Sequence, residues 1–310
     1  MATNCNHSFS DIQINYLGPV YGVEFVLALL GNGFAIWLLG VSKDRHAGII
    51  FSLNLAVSDL LYALSLPLLV AYYVMKKNWT FGAALCKIER FLFNCNLYGS
   101  IFFITCISAN RCLGIVYPFY ARGRVESKHA KFVSLGVWIL VASISSPVFF
   151  FSELEATSNG QECIGTARSI NLSSYMPYSL FLAGFGCVLP FLITLLSYIG
   201  IARAVWKSHS LESREKMKVI YMVCIVIALY SISFLPYHIL RNLNLYNRMS
   251  KPDCLWSRRI HSAFQLTRAL VALNPCIHPL LYTAVMNNVR ERLGCCQKNE
   301  ISKSEEDCHL

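Results

Sequence analysis

The chain has 310 residues, 55% of them hydrophobic and only 14% charged, with a formal net charge of +10. Its mean hydropathy is +0.47. A soluble domain of this length could bury a sizeable core without the long apolar runs found here, and cations rimming such runs argue against nucleic acid as a partner.

About 20 apolar residues, at about 1.5 Å rise each, cross the hydrocarbon layer as a helix. Seven stretches qualify: 16–41, 49–75, 83–117, 132–151, 175–205, 219–246 and 256–286. An unpaired backbone group in lipid is expensive, so each is expected to be a helix. The sequence thus predicts an all-α membrane protein, a seven-transmembrane helix bundle occupying 16–286. Residues 1–15 form a polar N-terminal segment with no signal-peptide pattern, which leaves span one as its own insertion signal.

Basic residues fix the orientation. Lys43 and Arg45 follow span one, Arg122, Arg124, Lys128 and Lys131 follow span three, Lys207, Arg214, Lys216 and Lys218 follow span five, and Arg290 and Arg292 follow span seven. Short loops rich in Lys and Arg stay in the cytoplasm, so the N-terminus is expected outside. The sequons at Asn6, Asn78 and Asn171 then face outward as candidate glycosylation sites. Of 13 cysteines, Cys5, Cys86, Cys163 and Cys254 also fall outside, where two bridges are expected from three alternative pairings. Past span seven, 287–296 reads as a short amphipathic eighth helix on the inner membrane face, with Cys295 and Cys296 placed for palmitoylation. Residues 297–310 form a polar cytoplasmic tail.

Inside the outer ends of the spans lie Arg90, His238, Arg241 and Arg268. Ionisable residues at the centre of a span cost about 2.5–3.5 kcal/mol each on insertion scales, and they usually face a water-filled cavity. Four of one sign on three spans point to one pocket for an anion. His238 and Arg241 are three residues apart, as are Gln265 and Arg268, so each pair shares a helix face. Phe93, Tyr98, Tyr175 and Tyr178 are near enough in this topology to wall the organic part of such a ligand.

The polar and proline residues within the spans form an ordered set. Gly31-Asn32-Gly33 lies in span one, Asn54 to Asp59 in span two, Cys86 at the start of span three and Asn110-Arg111-Cys112 at its end. Trp138, Pro190 and Phe234-Leu235-Pro236 mark spans four, five and six, and His278-Pro279-Leu280-Leu281-Tyr282 ends span seven. Over essentially the whole chain this set resembles the rhodopsin-like (class A) G-protein-coupled receptors. The resemblance implies a Cys86–Cys163 bridge, leaving Cys5 to pair with Cys254. It implies an activation switch comprising Arg111, Phe234, Pro236, Pro279 and Tyr282. It also implies a sodium ion held as an allosteric modulator by Asp59, Ser100 and Asn274. The sequence departs from the family at His278, where a carboxylate or amide is usual, and an imidazole there would compete with sodium for Asp59. It departs again at Asn110 and Lys216, which leave Arg111 without its customary carboxylates.

The motifs His238-Ile239-Leu240-Arg241 and Gln265-Leu266-Thr267-Arg268, with Arg90, resemble the cationic set of the metabotropic purinoceptors, receptors for extracellular nucleotides. Stretches such as Glu89-Arg90-Phe91-Leu92-Phe93 and Cys276-Ile277-His278 resemble an ATP-preferring subtype. The implied ligand set is Arg90, His238, Arg241, Gln265, Arg268, Phe93, Tyr98 and Tyr175, around an ATP-like nucleotide. The implied setting is the plasma membrane, with a heterotrimeric G protein, arrestin, receptor kinases and membrane lipid as partners. A dicarboxylate receptor of the same branch is the nearest alternative. An organic-anion transporter would carry inverted repeats, and none is legible. An enzyme is not expected, since the histidines show no His-Glu-x-x-His spacing.

Overall fold

The computed structural model describes residues 16–41, 46–118, 127–157, 160–165, 172–208, 212–250 and 254–279. Six helices there are long and apolar enough to cross a membrane: Gly18–Val41, Ala47–Val74, Gly82–Val116, Ser127–Phe151, Leu172–Lys207 and Lys216–Ser250. A seventh helix runs from Cys254 to Ala272, and helical backbone resumes at 274–279. This last helix carries Arg258, Arg259, His261, Gln265 and Arg268 along its length, which leaves it less apolar than the six. Tyr282, the expected eighth helix and the tail lie outside the described residues, as do Cys5, Asn6 and Asn171.

The helices extend past the hydropathy limits wherever polar residues continue the turn. Span two is helical from Ala47 and breaks at Leu64-Ser65, just before Pro67. Span four begins at Ser127 and breaks before Pro147. Proline lacks the amide donor that the preceding turn needs.

The bundle is ordered the opposite way from a soluble core. Large apolar side chains such as Trp37, Phe132, Leu196 and Trp206 lie exposed on the outer surface, while Asn32, Asp59, Ser100 and Asn274 are buried between helices. In lipid the apolar surface needs no burial, and polar groups must find partners inside. The landmark residues do so by joining spans. Asn32 Nδ2 donates to Pro275 O (2.8 Å), tying span one to span seven. Trp138 Nε1 donates to Asn54 Oδ1 (2.9 Å), tying four to two. Thr105 on span three hydrogen-bonds Thr194 on span five (3.1 Å). Gly31 permits the approach of span seven, because a Cβ there would lie 2.9 Å from Pro279 Cγ.

Spans five and six each contain a π-helical turn, Gly184–Val188 and Tyr230–Phe234, immediately before Pro190 and Pro236. A widened turn accommodates the missing proline donor and the ring. The two irregular turns are linked to each other, since Tyr230 Oη donates to Cys187 O (3.0 Å). The irregular turn of span six, just before Pro236, is therefore braced against span five.

Between spans four and five the chain forms a β-hairpin, Glu153–Thr157 with Gly160–Ile164, which hydropathy gave no reason to expect. Gly160 takes φ +127°, and a Cβ there would clash with Asn78. Asn78 Oδ1 accepts a hydrogen bond from Gln161 N (3.1 Å), so this sequon residue staples the first outer loop to the hairpin. The Cys86–Cys163 disulfide is formed and pins the second hairpin strand over span three.

Replacing Asn32 by alanine removes a buried link between spans one and seven. Interhelical hydrogen bonds in membranes contribute about 0.6–2 kcal/mol, so Asn32→Ala is expected to lower the Tm of the detergent-purified chain by a few degrees. An unchanged Tm in a thermal-shift measurement would contradict this role.

Candidate functional site

At the hairpin end of the bundle a cavity of about 290 Å³ opens to the surface. This is near the lower end of the range for small-molecule sites. Arg90, Phe93 and Asn94 come from span three, Tyr72 and Tyr73 from span two, and Tyr175 from span five. Span six contributes Tyr237, Arg241, Asn244 and Arg248, and the seventh helix contributes His261, Phe264, Gln265 and Arg268. The last two groups follow helical spacing of three and four residues, so one face of each helix turns inward. Glu162 and Cys163 of the hairpin complete the wall. Four arginines and Lys77 thus face one glutamate, and Lys77 pairs with that Glu162 at 3.1 Å.

None of the three arginines singled out by the sequence reaches outward to a lipid surface. Arg241 is 3% exposed. Its Nη2 donates to Tyr175 Oη and its Nη1 to Tyr98 Oη (3.4 Å), with the guanidinium carbon 5.6 Å from the Tyr175 ring centre. Arg268 lies over the face of Phe93, 5.2 Å from its centroid. Arg90 donates from Nη2 to Cys163 O (3.0 Å) and lies 3.2 Å from Glu89 Oε2 through Nη1. The bridge and the arginine therefore support each other: the disulfide holds Cys163 in place, and Cys163 holds Arg90. Stacking and hydroxyl contacts fix guanidinium groups without neutralising them, which suits them to receive an anion.

The other expected ligand residues are distributed unequally. Phe93, Tyr175 and Gln265 line the cavity. Gln265 Oε1 has no hydrogen-bond partner, and its Nε2 is 3.4 Å from His261 Nε2. Tyr98 stands behind the wall and acts through Arg241. His238 lies one turn further in, against the rings of Tyr98 (5.8 Å) and Tyr237 (5.3 Å), with neither ring nitrogen hydrogen-bonded. Tyr178 donates to Ile144 O (2.7 Å) and serves packing between spans four and five.

Two buried carboxylates escaped the sequence reading. Glu24 in span one and Glu89 in span three are fully buried, and all four of their oxygens lack hydrogen bonds. Both lie within electrostatic range of Arg268. An acidic residue inside an apolar stretch was the available signal, and it costs as much to bury as the cations do.

Deeper in the bundle, Asp59 Oδ1 accepts from Asn96 Nδ2 (2.8 Å) and from Ser100 Oγ (3.4 Å), while Oδ2 faces His278 Nδ1 at 2.8 Å. The Asn274 amide nitrogen has no partner. Sodium needs oxygen ligands with free lone pairs directed at one point. Here His278 fills one face of the carboxylate and two donors fill the other, so the set does not fit a sodium ion. At the opposite end, Arg111 has no ion-pair partner among the described residues and lies within reach of Tyr198.

A family model described as 7 transmembrane receptor (rhodopsin family) matches residues 31–282. The chain belongs to that family. The receptor is 42% identical to human purinoceptor 11 over 93% of its own length and 82% of that protein's. It is 36% identical to purinoceptor 1 of Meleagris gallopavo over 98% of its length and 85% of the relative's. Human purinoceptor 1 is also 36% identical, over 97% and 82%. It is thus a multi-pass membrane signalling receptor of the purinoceptor group, not an enzyme.

The Asp59–His278 pair carries its own expectation. Exchanging sodium for choline should leave the agonist affinity of the native receptor unchanged, while His278→Asn should introduce sodium sensitivity. An equal sodium-dependent fall in both, in membrane binding assays, would show that the imidazole does not exclude the ion.

Proposed function

We propose that the receptor responds to an extracellular nucleotide, ATP or a close analogue, and activates a heterotrimeric G protein. The observation that carries this reading is the convergence of Arg90, Arg241 and Arg268 on one cavity from three spans. A guanidinium offers a planar fork to phosphate oxygens, and charge-assisted bonds of this kind are about twice as strong as neutral ones. Phosphates seated between the three arginines would leave the base to the aromatic wall of Phe93, Tyr175, Tyr237 and Phe264. The names of the relatives, purinoceptors, support the same ligand class.

The signal follows from geometry. An anion shared by span three, span six and the seventh helix favours whichever state brings their outer ends together, and it shifts the equilibrium only by its differential affinity for the two states. Span six has its irregular turn at Tyr230–Phe234 with Pro236 just beyond, so inward motion outside becomes outward motion inside. The inner end then exposes Arg111, about 31 Å from Arg90 along span three. The G protein is of the phospholipase-C-activating class, with the cyclase-stimulating class second. Arrestin and receptor kinases act on the cytoplasmic face after activation. The N-terminus is extracellular and bridged through Cys5–Cys254. Asn6, Asn78 and Asn171 are the glycosylation positions, and Cys295 and Cys296 carry lipid.

ATP should release calcium from cells expressing the receptor, and succinate should not. Arg268→Ala is expected to reduce ATP potency at least a hundredfold with surface expression retained, while normal potency would remove Arg268 from the site. A response to succinate alone would assign the receptor to dicarboxylates. Without a carboxylate latch for Arg111, ligand-free signalling should be measurable and should fall in Asn110→Asp. A silent native receptor, unchanged by that substitution, would contradict the weak latch.

A further inference from the structure

Glu89 precedes Arg90 on span three and is fully buried. It is absent from the cavity lining, so it touches no ligand seated there. Neither carboxylate oxygen has a hydrogen-bond partner, and Arg90 Nη1 lies 3.2 Å from Oε2. Arg268, Tyr62 and Tyr73 are within its electrostatic range. Helix formation and packing give no reason for an acid here, because an apolar residue would fill the position without desolvating a charge. An ionisable residue inside a span, paired with another, is a functional candidate by position.

We propose that Glu89 sets the charge selectivity of the cavity, as the built-in counter-charge of Arg90. It offsets one positive charge from behind the wall. Without it, affinity would climb more steeply with each negative charge on the ligand, and Arg90 would lose one of the two partners that fix its head group. Glu89 is therefore a specificity-determining and positioning residue that acts through Arg90. The inference deepens the anion-site reading and requires an anionic ligand, but it does not require that the anion be a nucleotide.

Two charges about 10 Å apart, at an effective dielectric constant near 20, interact strongly enough to change affinity by roughly tenfold per unit of ligand charge. Glu89→Gln should therefore raise the ratio of triphosphate to monophosphate potency, ligands two charge units apart, by about a hundredfold. The ratio is measured with adenosine tri-, di- and monophosphate on cells expressing the full chain, with surface expression monitored. Charge compensation supplies a second readout. Arg90→Met leaves the carboxylate uncompensated and should lose potency, and adding Glu89→Gln to it should recover part of the loss. A purely structural Glu89 would shift all three ligands equally and give no rescue, and either result overturns the proposal. If Glu89→Gln fails to reach the surface, Glu89→Leu takes its place; failure of both assigns Glu89 to folding and overturns the proposal.

The ligand reading is tested separately. If the native receptor ignores nucleotides but answers a butyrate, succinate and tricarballylate series, the nucleotide assignment falls. The same charge ladder across those acids then decides for or against Glu89. Silence to both series overturns both readings.

Discussion

Guanidinium groups sealed inside a helix bundle must be held by something, and what holds them organises the outer half of this molecule. Water cannot solvate them fully, and a set of full ion pairs would leave nothing for a ligand. The structure takes a middle course. Arg241 is held by two tyrosine hydroxyls, Arg268 by an aromatic face, and Arg90 by a backbone carbonyl and one carboxylate. These partners come from spans three and five and the hairpin, so the positions of all those elements are tied to the cations. The disulfide belongs to the same device, because Cys163 presents the carbonyl that orients Arg90.

The interior repeats the principle at greater depth. Polar landmarks join pairs of helices: Asn32 with Pro275, Asn54 with Trp138, Asp59 with Asn96 and His278. With apolar surface driving nothing in lipid, these contacts and close small-residue approaches such as Gly31 against Pro279 supply specificity of packing. The proline-associated turns are the counterpart. Spans five and six are irregular at adjacent places and joined there by Tyr230 and Cys187, so movement of one is transmitted to the other. Polar ties reach spans five and six as well, through Thr105 with Thr194 and Arg241 with Tyr98 and Tyr175, but only these two spans combine such ties with a π-helical turn among the described residues.

Much of this was legible in the sequence, for a physical reason. A membrane allows so few backbone solutions that hydropathy alone located the first six spans to within about five residues, and the cost of burying charge made Arg90, Arg241 and Arg268 conspicuous. What escaped depended on neighbours far apart in the chain. The β-hairpin at 153–164 is short, exposed on one side and fixed by Asn78 and Cys86, neither of which local periodicity can anticipate. His238 shares a helix face with Arg241, yet it packs one turn away against the Tyr98 and Tyr237 rings and does not line the cavity. Tyr178 was indistinguishable from Tyr175 by type and spacing, and only packing against Ile144 separates them.

Asp59 shows how a single substitution can redirect such a network. A carboxylate in the middle of a bundle has four lone-pair directions to satisfy. Amide and hydroxyl donors from span three occupy one oxygen, and the imidazole of His278 occupies the other. A mobile cation there would come and go with conformation, whereas an imidazole on the chain cannot leave. The group that couples span seven to spans two and three is therefore a side chain of the receptor, held by a non-covalent contact of 2.8 Å. His278 lies in the helical 274–279 segment. That segment follows directly on the helix that carries Arg268. Arg268 and the contact between Asp59 and His278 therefore lie along one element, so the outer cavity and the buried polar cluster share a helix.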